Sequence, residues 1–330
     1  MLAQQGVDGV HLCRRSNIAW ITDGADTRVD GSSRLGIAEV VWTPQRKLVL
    51  TDTIEAPRLA REEFGSEWEI RAADWWKGRP SPASLDLQLA RDWPHDAIAP
   101  LRWSLTDREM ACVRALGQEA ATVLEESMHR LARGTTEAQL AGTIVGSLRA
   151  RGIDTPVMLV ASDARLASFR HPIPTAKPVE SIAMAVICAE RHGLIVSATR
   201  LRSFGPPDAD RIRRHAAVCA VDRTLHAATR PGARWCDILA AGIQTYAATH
   251  FAEEWTKHHQ GGPMGYELRE FVATPSEERR VVDRQLVGWN PSIAGTKSED
   301  TILVTRDRHE IVTATGNWPL ADGRPEILVG

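Results

Sequence analysis

Residues 258–270 read His258-His259-Gln260-Gly261-Gly262-Pro263-Met264-Gly265-Tyr266-Glu267-Leu268-Arg269-Glu270. Paired imidazoles, paired glycines and a Glu-Leu-Arg-Glu run share one short segment. Two other segments have a similar mixture of small and chemically active residues. His192-Gly193-Leu194-Ile195-Val196-Ser197-Ala198-Thr199-Arg200 lies upstream. Trp289-Asn290-Pro291, followed by Glu299-Asp300-Thr301-Ile302-Leu303-Val304-Thr305, lies downstream. Each is a weak motif alone, and the information is in their order.

The surroundings of these segments are helical hairpins alternating with strands. Thr106-x-x-Glu109 is a capping box, in which each side chain satisfies the other's orphan amide. Met110, Val113, Leu116, Val123, Leu124, Met128 and Leu131 follow at helical spacing, and Arg133-Gly134 stops the run. Leu140, Ile144, Val145 and Leu148 mark a second helix ending at Gly152. The unit returns roughly 100 residues later. Ile212, Cys219 and Leu225 form a stripe over residues 208–228, Arg230-Pro231-Gly232 ends it, and Ile238, Leu239 and Ile243 begin the next helix. Strands are expected at 183–188 and 194–199, joined by Glu190-Arg191-His192-Gly193, and at 301–305 and 310–315. Two helix-pair-plus-strand halves predict an α+β domain with an inner, curved antiparallel sheet.

Residues 1–103 have a different texture and predict a small α/β domain. Residues 17–22 read as a strand ending at Asp23-Gly24, and 38–42 with 47–50 as a hairpin around Pro44-Gln45-Arg46. Residues 55–64 have helical character. The proline-rich stretch 79–100 reads as the linker to a second domain, residues 104–330.

Composition narrows the function. The 330 residues carry 40 basic and 42 acidic side chains, a net charge of −2, which argues against a nucleic-acid partner. Lys is confined to positions 47, 77, 177, 257 and 297. The resulting Arg excess reads as codon bias, with carboxylate or phosphate recognition by a few of these arginines as the functional alternative. The longest apolar run, residues 182–189, falls short of the ~20 needed to span a bilayer, so no membrane partner is expected. Residues 1–6, Met-Leu-Ala-Gln-Gln-Gly, show no basic stretch ahead of an apolar one, so no signal peptide is expected. Cys13, Cys112, Cys188, Cys219 and Cys236 are scattered without a C-x-x-C, as in a reducing cytoplasm.

The three segments, in order, resemble the pita-bread fold of creatinase, Xaa-Pro aminopeptidases and methionine aminopeptidases, peptidase family M24. Residues 192–200 are similar to the family's "hGY-x-x-D-x-TR" hairpin, 258–270 to "H-G-x-G-H-x-x-G-x-x-x-H-E", and 289–305 to "IEP … EDTVLVT". The first domain is similar to the family's small N-terminal domain. Metallopeptidases of this fold hold two divalent ions with Asp, Asp, His, Glu and Glu. Anchored on Thr199-Arg200, those positions fall on Val186, Ser197, Gly262, Asn290 and Glu299. Only Glu299 keeps a family ligand, so neither a metal nor another cofactor is expected. His258 and His259 are adjacent rather than four apart, and H-E-x-x-H, G-x-G-x-x-G, Walker and G-x-S-x-G motifs are absent.

The resemblance therefore points toward creatinase, which cleaves a guanidino C–N bond without metal. Arg269 stands where the metallopeptidases usually have His. His171, in Phe169-Arg170-His171-Pro172, resembles the substrate-side His on a family strand and is the expected acid/base. Glu270 and Glu299 are the remaining acidic candidates, with Arg200 and Arg269 as partners a buried carboxylate requires. His258, His259, Arg269 and Arg200 are the expected substrate-binding groups. Gly261-Gly262 reads as widening the site. Asp300 should face away from Glu299. Cys188 reads as core, and Trp75, Trp76 and Trp289 as packing or as a pocket wall. The expected function is metal-independent hydrolysis of an amide- or guanidino-type bond in a small polar molecule. The alternatives are an inactive pseudo-peptidase that binds a peptide or metabolite, and an atypical Xaa-Pro aminopeptidase. The resemblance also implies a homodimer, with Arg28 and Trp20 reaching across its interface.

Overall fold

The computed structural model describes residues 6–330. Residues 1–5, most of the segment read above for a signal peptide, lie outside it. The chain forms two compact units, Met1–Arg102 and Trp103–Gly330.

In the first unit β1 (Gly9–Arg14), β2 (Leu35–Thr43), β3 (Arg46–Asp52), β4 (Glu69–Ala73) and β5 (Leu89–Arg91) form one sheet in the order β4-β3-β2-β1-β5. The β2–β3 hairpin lies where alternation placed it, with Val40 opposite Val49. Two expectations change. Residues 17–22 belong to a helix, α1 (Arg15–Thr22), not a strand. A short apolar run fits one helix face as well as a strand, and here burial decides. Asn17, Ile18 and Ala19 turn inward, Asn17 donates to Asp92 at 3.0 Å, and Asp23 ends the helix at φ 64°. The proline-rich stretch is part of the unit rather than a linker. Its β5 pairs in parallel with β1, and Asp92 accepts from the Cys13 and Arg14 amides at 2.8 and 2.9 Å. Residues 55–64 form one α-turn, Ala56–Arg58, running into a π-turn, Leu59–Glu63.

The second unit contains the repeat. Its first half is α2 (Asp107–Arg130), α3 (Glu137–Arg149), β6 (Asp154–Ser162), α4 (Ala164–Ser168), β7 (Ile182–Arg191) and β8 (Leu194–Ser203). The capping box at the start of α2 is complete: the Thr106 amide donates to Glu109 at 2.7 Å, and the Glu109 amide donates to the Thr106 hydroxyl at 3.2 Å. The second half is α5 (Ala209–Ala228), α6 (Trp235–Ala248), β9 (Gly261–Met264), β10 (Gln285–Trp289), β11 (Ser292–Ile293), β12 (Thr296–Lys297), β13 (Asp300–Val304) and β14 (His309–Ile311). The strand expected at 310–315 is therefore shorter. Small strands β15 (Leu320–Ala321), β16 (Arg324–Pro325) and β17 (Ile327–Val329) follow. Two four-stranded sheets result, β17-β8-β7-β6 and β14-β13-β10-β9. They meet where the Thr199 amide donates to the Glu299 carbonyl at 3.0 Å and the Ser197 amide to Thr301 Oγ1 at 2.7 Å. No helix among the described residues is long and apolar enough to cross a membrane.

Behind this junction runs a chain of buried charges. Arg200 bridges Glu125 at 2.9 Å and Asp300 at 3.0 Å, and Arg324 bridges Asp300 at 2.9 Å and Asp222 at 2.6 Å. Replacing Arg200 by Met strands buried Glu125 and leaves Asp300 with Arg324 alone, so the variant is expected to lose about 3–5 kcal/mol of stability. Urea unfolding of wild type and Arg200→Met measures this, and a loss under ~1 kcal/mol, the scale of a surface ion pair, contradicts it.

Candidate active site

Alternate residues of a strand face opposite ways, and this sorts the chemistry here. On β8, Arg200 turns to the buried charge chain, while Thr199 turns the other way. Glu299 and Asp300 divide likewise: Asp300 meets Arg200 and Arg324, and Glu299 meets Thr199. Glu299 Oε2 accepts from Thr199 Oγ1 at 2.6 Å and lies 2.8 Å from Lys297 Nζ. Arg269 Nη2 lies 3.8 Å from Glu299 Oε1. Lys297 is 4% and Glu299 2% exposed. Burial pushes the Glu299 carboxyl up, but Lys297 and then Arg269 more than offset it, and the net shift is downward. Sequence reading missed Lys297. The available signal was its spacing: two residues before Glu299 in extended chain, a lysine shares the glutamate's side.

The family's metal positions do not fit a dinuclear centre. Val186 has no donor. Ser197 Oγ faces Thr301 Oγ1 at 3.5 Å and the Met264 sulfur at 4.0 Å. At Gly262, φ is 156° and a Cβ would fall 2.5 Å from the Phe271 carbonyl oxygen. At Gly261 a Cβ would fall 2.2 Å from the Gly288 carbonyl oxygen. The glycine pair thus admits close backbone packing and does not widen the site. Asn290 offers a buried Oδ1 without a hydrogen-bond partner, a neutral donor where the family has a carboxylate. Glu299 is engaged by Lys297 and Thr199. One paired carboxylate, a hydroxyl and an amide do not balance two dications.

Three histidines gather beside this pair. His171 lies in an irregular segment after α4 rather than on a strand. Its neighbour Arg170 anchors that segment through Glu254 and through Ser292 Oγ at 3.1 Å. His171 Nε2 and His258 Nε2 are 3.1 Å apart, and the rings of His258 and His259 stack with centroids 4.6 Å apart. Burial, then Lys297, holds His258 far below its ordinary value, down to about 2. Burial, then Arg269, lowers His259 to about 4. His171 is also lowered, by burial and then Lys297. All three rings are neutral at pH 7.

Other expected residues lie elsewhere. Arg200 is not beside Glu270 or Glu299; its partners are Glu125 and Asp300. Glu270 Oε2 accepts from Trp103 Nε1 at 3.3 Å. Cys188 is core, and burial pushes its thiol up to about 12, which removes it as a thiolate nucleophile. Trp289 is fully buried and donates to Thr229 at 2.9 Å, whereas Trp75 and Trp76 are exposed.

The fold and the lineage agree. Residues 111–306 match the model of metallopeptidase family M24, and the chain belongs to that family. It has the family's pita-bread fold. It superposes with a TM-score of 0.78 on dipeptidase PepE from Mycobacterium ulcerans, at 20% identity over 99% of this chain and 94% of that one. For the X-Pro aminopeptidase from Thermotoga maritima the TM-score is 0.77, at 15% identity over 98% of each chain. An uncharacterized peptidase of Staphylococcus saprophyticus is 24% identical over 227 residues, 66% of this chain. The match spans 64% of that relative's length, just under two thirds.

The charge pair makes a prediction in pH. Glu299's folded pKa lies below its unfolded value, so its contribution to stability is fully present above about pH 4.5 and lost as pH falls through the folded value. In Lys297→Met burial wins, the folded pKa rises above the unfolded one, and stability is lost as pH climbs from the ordinary carboxylate range. Urea midpoints of both proteins across acid to neutral pH test this. Parallel pH profiles would contradict it.

Proposed function

We propose that this chain is a hydrolase of the M24 fold that works without the family's dinuclear centre, cleaving a C–N bond in a small polar molecule. The observation that supports this reading most is the Lys297–Glu299 pair, which puts an ammonium against the one carboxylate left from the ligand set. The C–N bond belongs to an amide or guanidino group, and the neighbours' names, X-Pro aminopeptidase and dipeptidase, favour a short peptide amide.

His171 is the acid/base group. A neutral imidazole takes a proton from the attacking nucleophile and returns it to the leaving nitrogen, so the proton balance closes on one ring. His258, 3.1 Å away, fixes that ring by sharing one hydrogen between the facing nitrogens. Lys297 and Arg269 supply the positive charge that stabilises an oxyanion or anionic leaving group, and Glu299 holds Lys297 in place. His259 completes the substrate-facing set in this reading.

A second reading is a binding module that has lost turnover. The unpartnered Asn290 Oδ1 at a former ligand position supports it. Both readings are tested with one panel of Xaa-Pro and other dipeptides, simple amides and guanidino acids, with and without a strong chelator. Chelator-resistant turnover that falls about 10²–10⁴-fold in His171→Ala is the expected result. Saturable binding without turnover supports the binding module. Turnover that requires added Mn²⁺ overturns both readings in favour of an atypical Xaa-Pro peptidase.

A further inference from the structure

The same three histidines have a second capability, which the linear sequence hides because His171 is far from His258 and His259. One ring nitrogen from each of His171, His258 and His259 lies within 4.8 Å of the other two. The His171 and His258 nitrogens are 3.1 Å apart. Two imidazole nitrogens on one tetrahedral zinc, each about 2.05 Å from it, sit about 3.3 Å apart. This pair therefore already has the spacing of two ligands on one ion. His171 and His259 are exposed, so their side chains have room to close the remaining gap.

Two neutral imidazoles facing each other through Nε2 make one N–H···N hydrogen bond. His258 Nδ1 is buried without a partner. A cation between the rings would use both Nε2 lone pairs at once.

We propose that His171, His258 and His259 form a mononuclear site for a late transition-metal dication of the zinc class, apart from the family's metal positions, and that the bound ion blocks proton transfer at His171. The donor set decides the class of ion. Imidazole suits Zn²⁺, Co²⁺, Ni²⁺ and Cu²⁺, whereas Mg²⁺, Ca²⁺ and Mn²⁺ need carboxylates, and the nearby ones, Glu299 and Glu254, are paired with Lys297 and with Arg170. Three protein ligands leave a fourth position open. The positive charge of Lys297 and Arg269 favours hydroxide or another anion there. Coordination through His171 Nε2 keeps the ring's proton on Nδ1, so no lone pair is left for the proposed hydrolysis, and the ion inhibits. The binding half of this proposal rests on geometry alone, and only the inhibition half rests on the proposed function.

The test uses the chelator-stripped full chain, titrated with Zn²⁺, Co²⁺ and Mn²⁺ and followed by calorimetry and by the visible spectrum of bound Co²⁺. The expected result is one equivalent of Zn²⁺ or Co²⁺, a tetrahedral Co²⁺ spectrum that Zn²⁺ erases, and no comparable Mn²⁺ binding. Affinity should fall at least about tenfold in His171→Ala and in His259→Ala, two exposed positions where folding is retained. It should be unchanged in His192→Asn, at the tip of the β7–β8 hairpin. Absence of stoichiometric binding, or binding equally strong in the two alanine variants, overturns the site. Where turnover is found, Zn²⁺ should suppress it, and stimulation by Zn²⁺ would overturn the inhibitory role while leaving the site standing.

Discussion

Asp300 is the residue on which the second unit turns. Its carboxylate is shared by Arg200 from β8 and Arg324 from β16, and those guanidiniums reach on to Glu125 in α2 and Asp222 in α5. Both helical hairpins and both four-stranded sheets are thus tied to one buried group. Such a network contributes little net stability over a well-packed apolar replacement, because desolvation offsets most of the Coulomb gain. Its effect here is positional. A register slip in β13 would break both charge contacts of Asp300 at once and leave Arg200 and Arg324 buried beside the gap. With Asp300 held on one side of the extended chain, Glu299 must face the other side, toward Thr199 and Lys297.

On that second side, the positions at which the family's metallopeptidases hold metal ions carry a different charge balance. Five ligand side chains around two dications form a dense charge cluster, and removing the carboxylates one by one leaves an unbalanced remainder. Here the remainder is one carboxylate, Glu299, balanced by one ammonium at 2.8 Å and a guanidinium at 3.8 Å. At Gly262 there is no room for a side chain, since a Cβ there would fall 2.5 Å from the Phe271 carbonyl oxygen. The one carboxylate is thus charge-balanced, and the main chain around Gly262 is closely packed.

Much of this was legible in the sequence, and the failures have physical causes. The helix pairs, the capping box, the β7–β8 hairpin and the opposite facing of Glu299 and Asp300 follow from local periodicity, which the tertiary fold left intact. Residues 17–22 misled because their apolar run suits either period, and buried Asn17 binding Asp92 selected the helix. The proline-rich stretch misled because its prolines, at 80, 82, 94 and 100, flank β5 (Leu89–Arg91) without entering it. Arg200 was placed beside the wrong carboxylates, although strand alternation puts it on Asp300's side. Gly261-Gly262 was read as space, but glycine permits close approach as readily as it leaves room. The gathering of His171 with His258 and His259 depends on long-range packing that no local pattern encodes.

The electrostatics of the histidine group link the two halves of the site. Burial, and after it Lys297 at His171 and His258 and Arg269 at His259, depresses the imidazole pKa values, and a weakly basic imidazole is by itself a poor proton acceptor. The same positive field stabilises any anion formed next to it, whether a deprotonated nucleophile or a tetrahedral oxyanion. In the proposed reaction, the share of His171's lost basicity that comes from Lys297 is partly cancelled by the gain in acidity of the group His171 would deprotonate. A site that kept the histidines but lost Lys297 would have stronger bases facing a less acidic nucleophile. The buried lysine is thus a direct electrostatic participant in any proton transfer at His171, beyond its structural part as a counter-ion to Glu299.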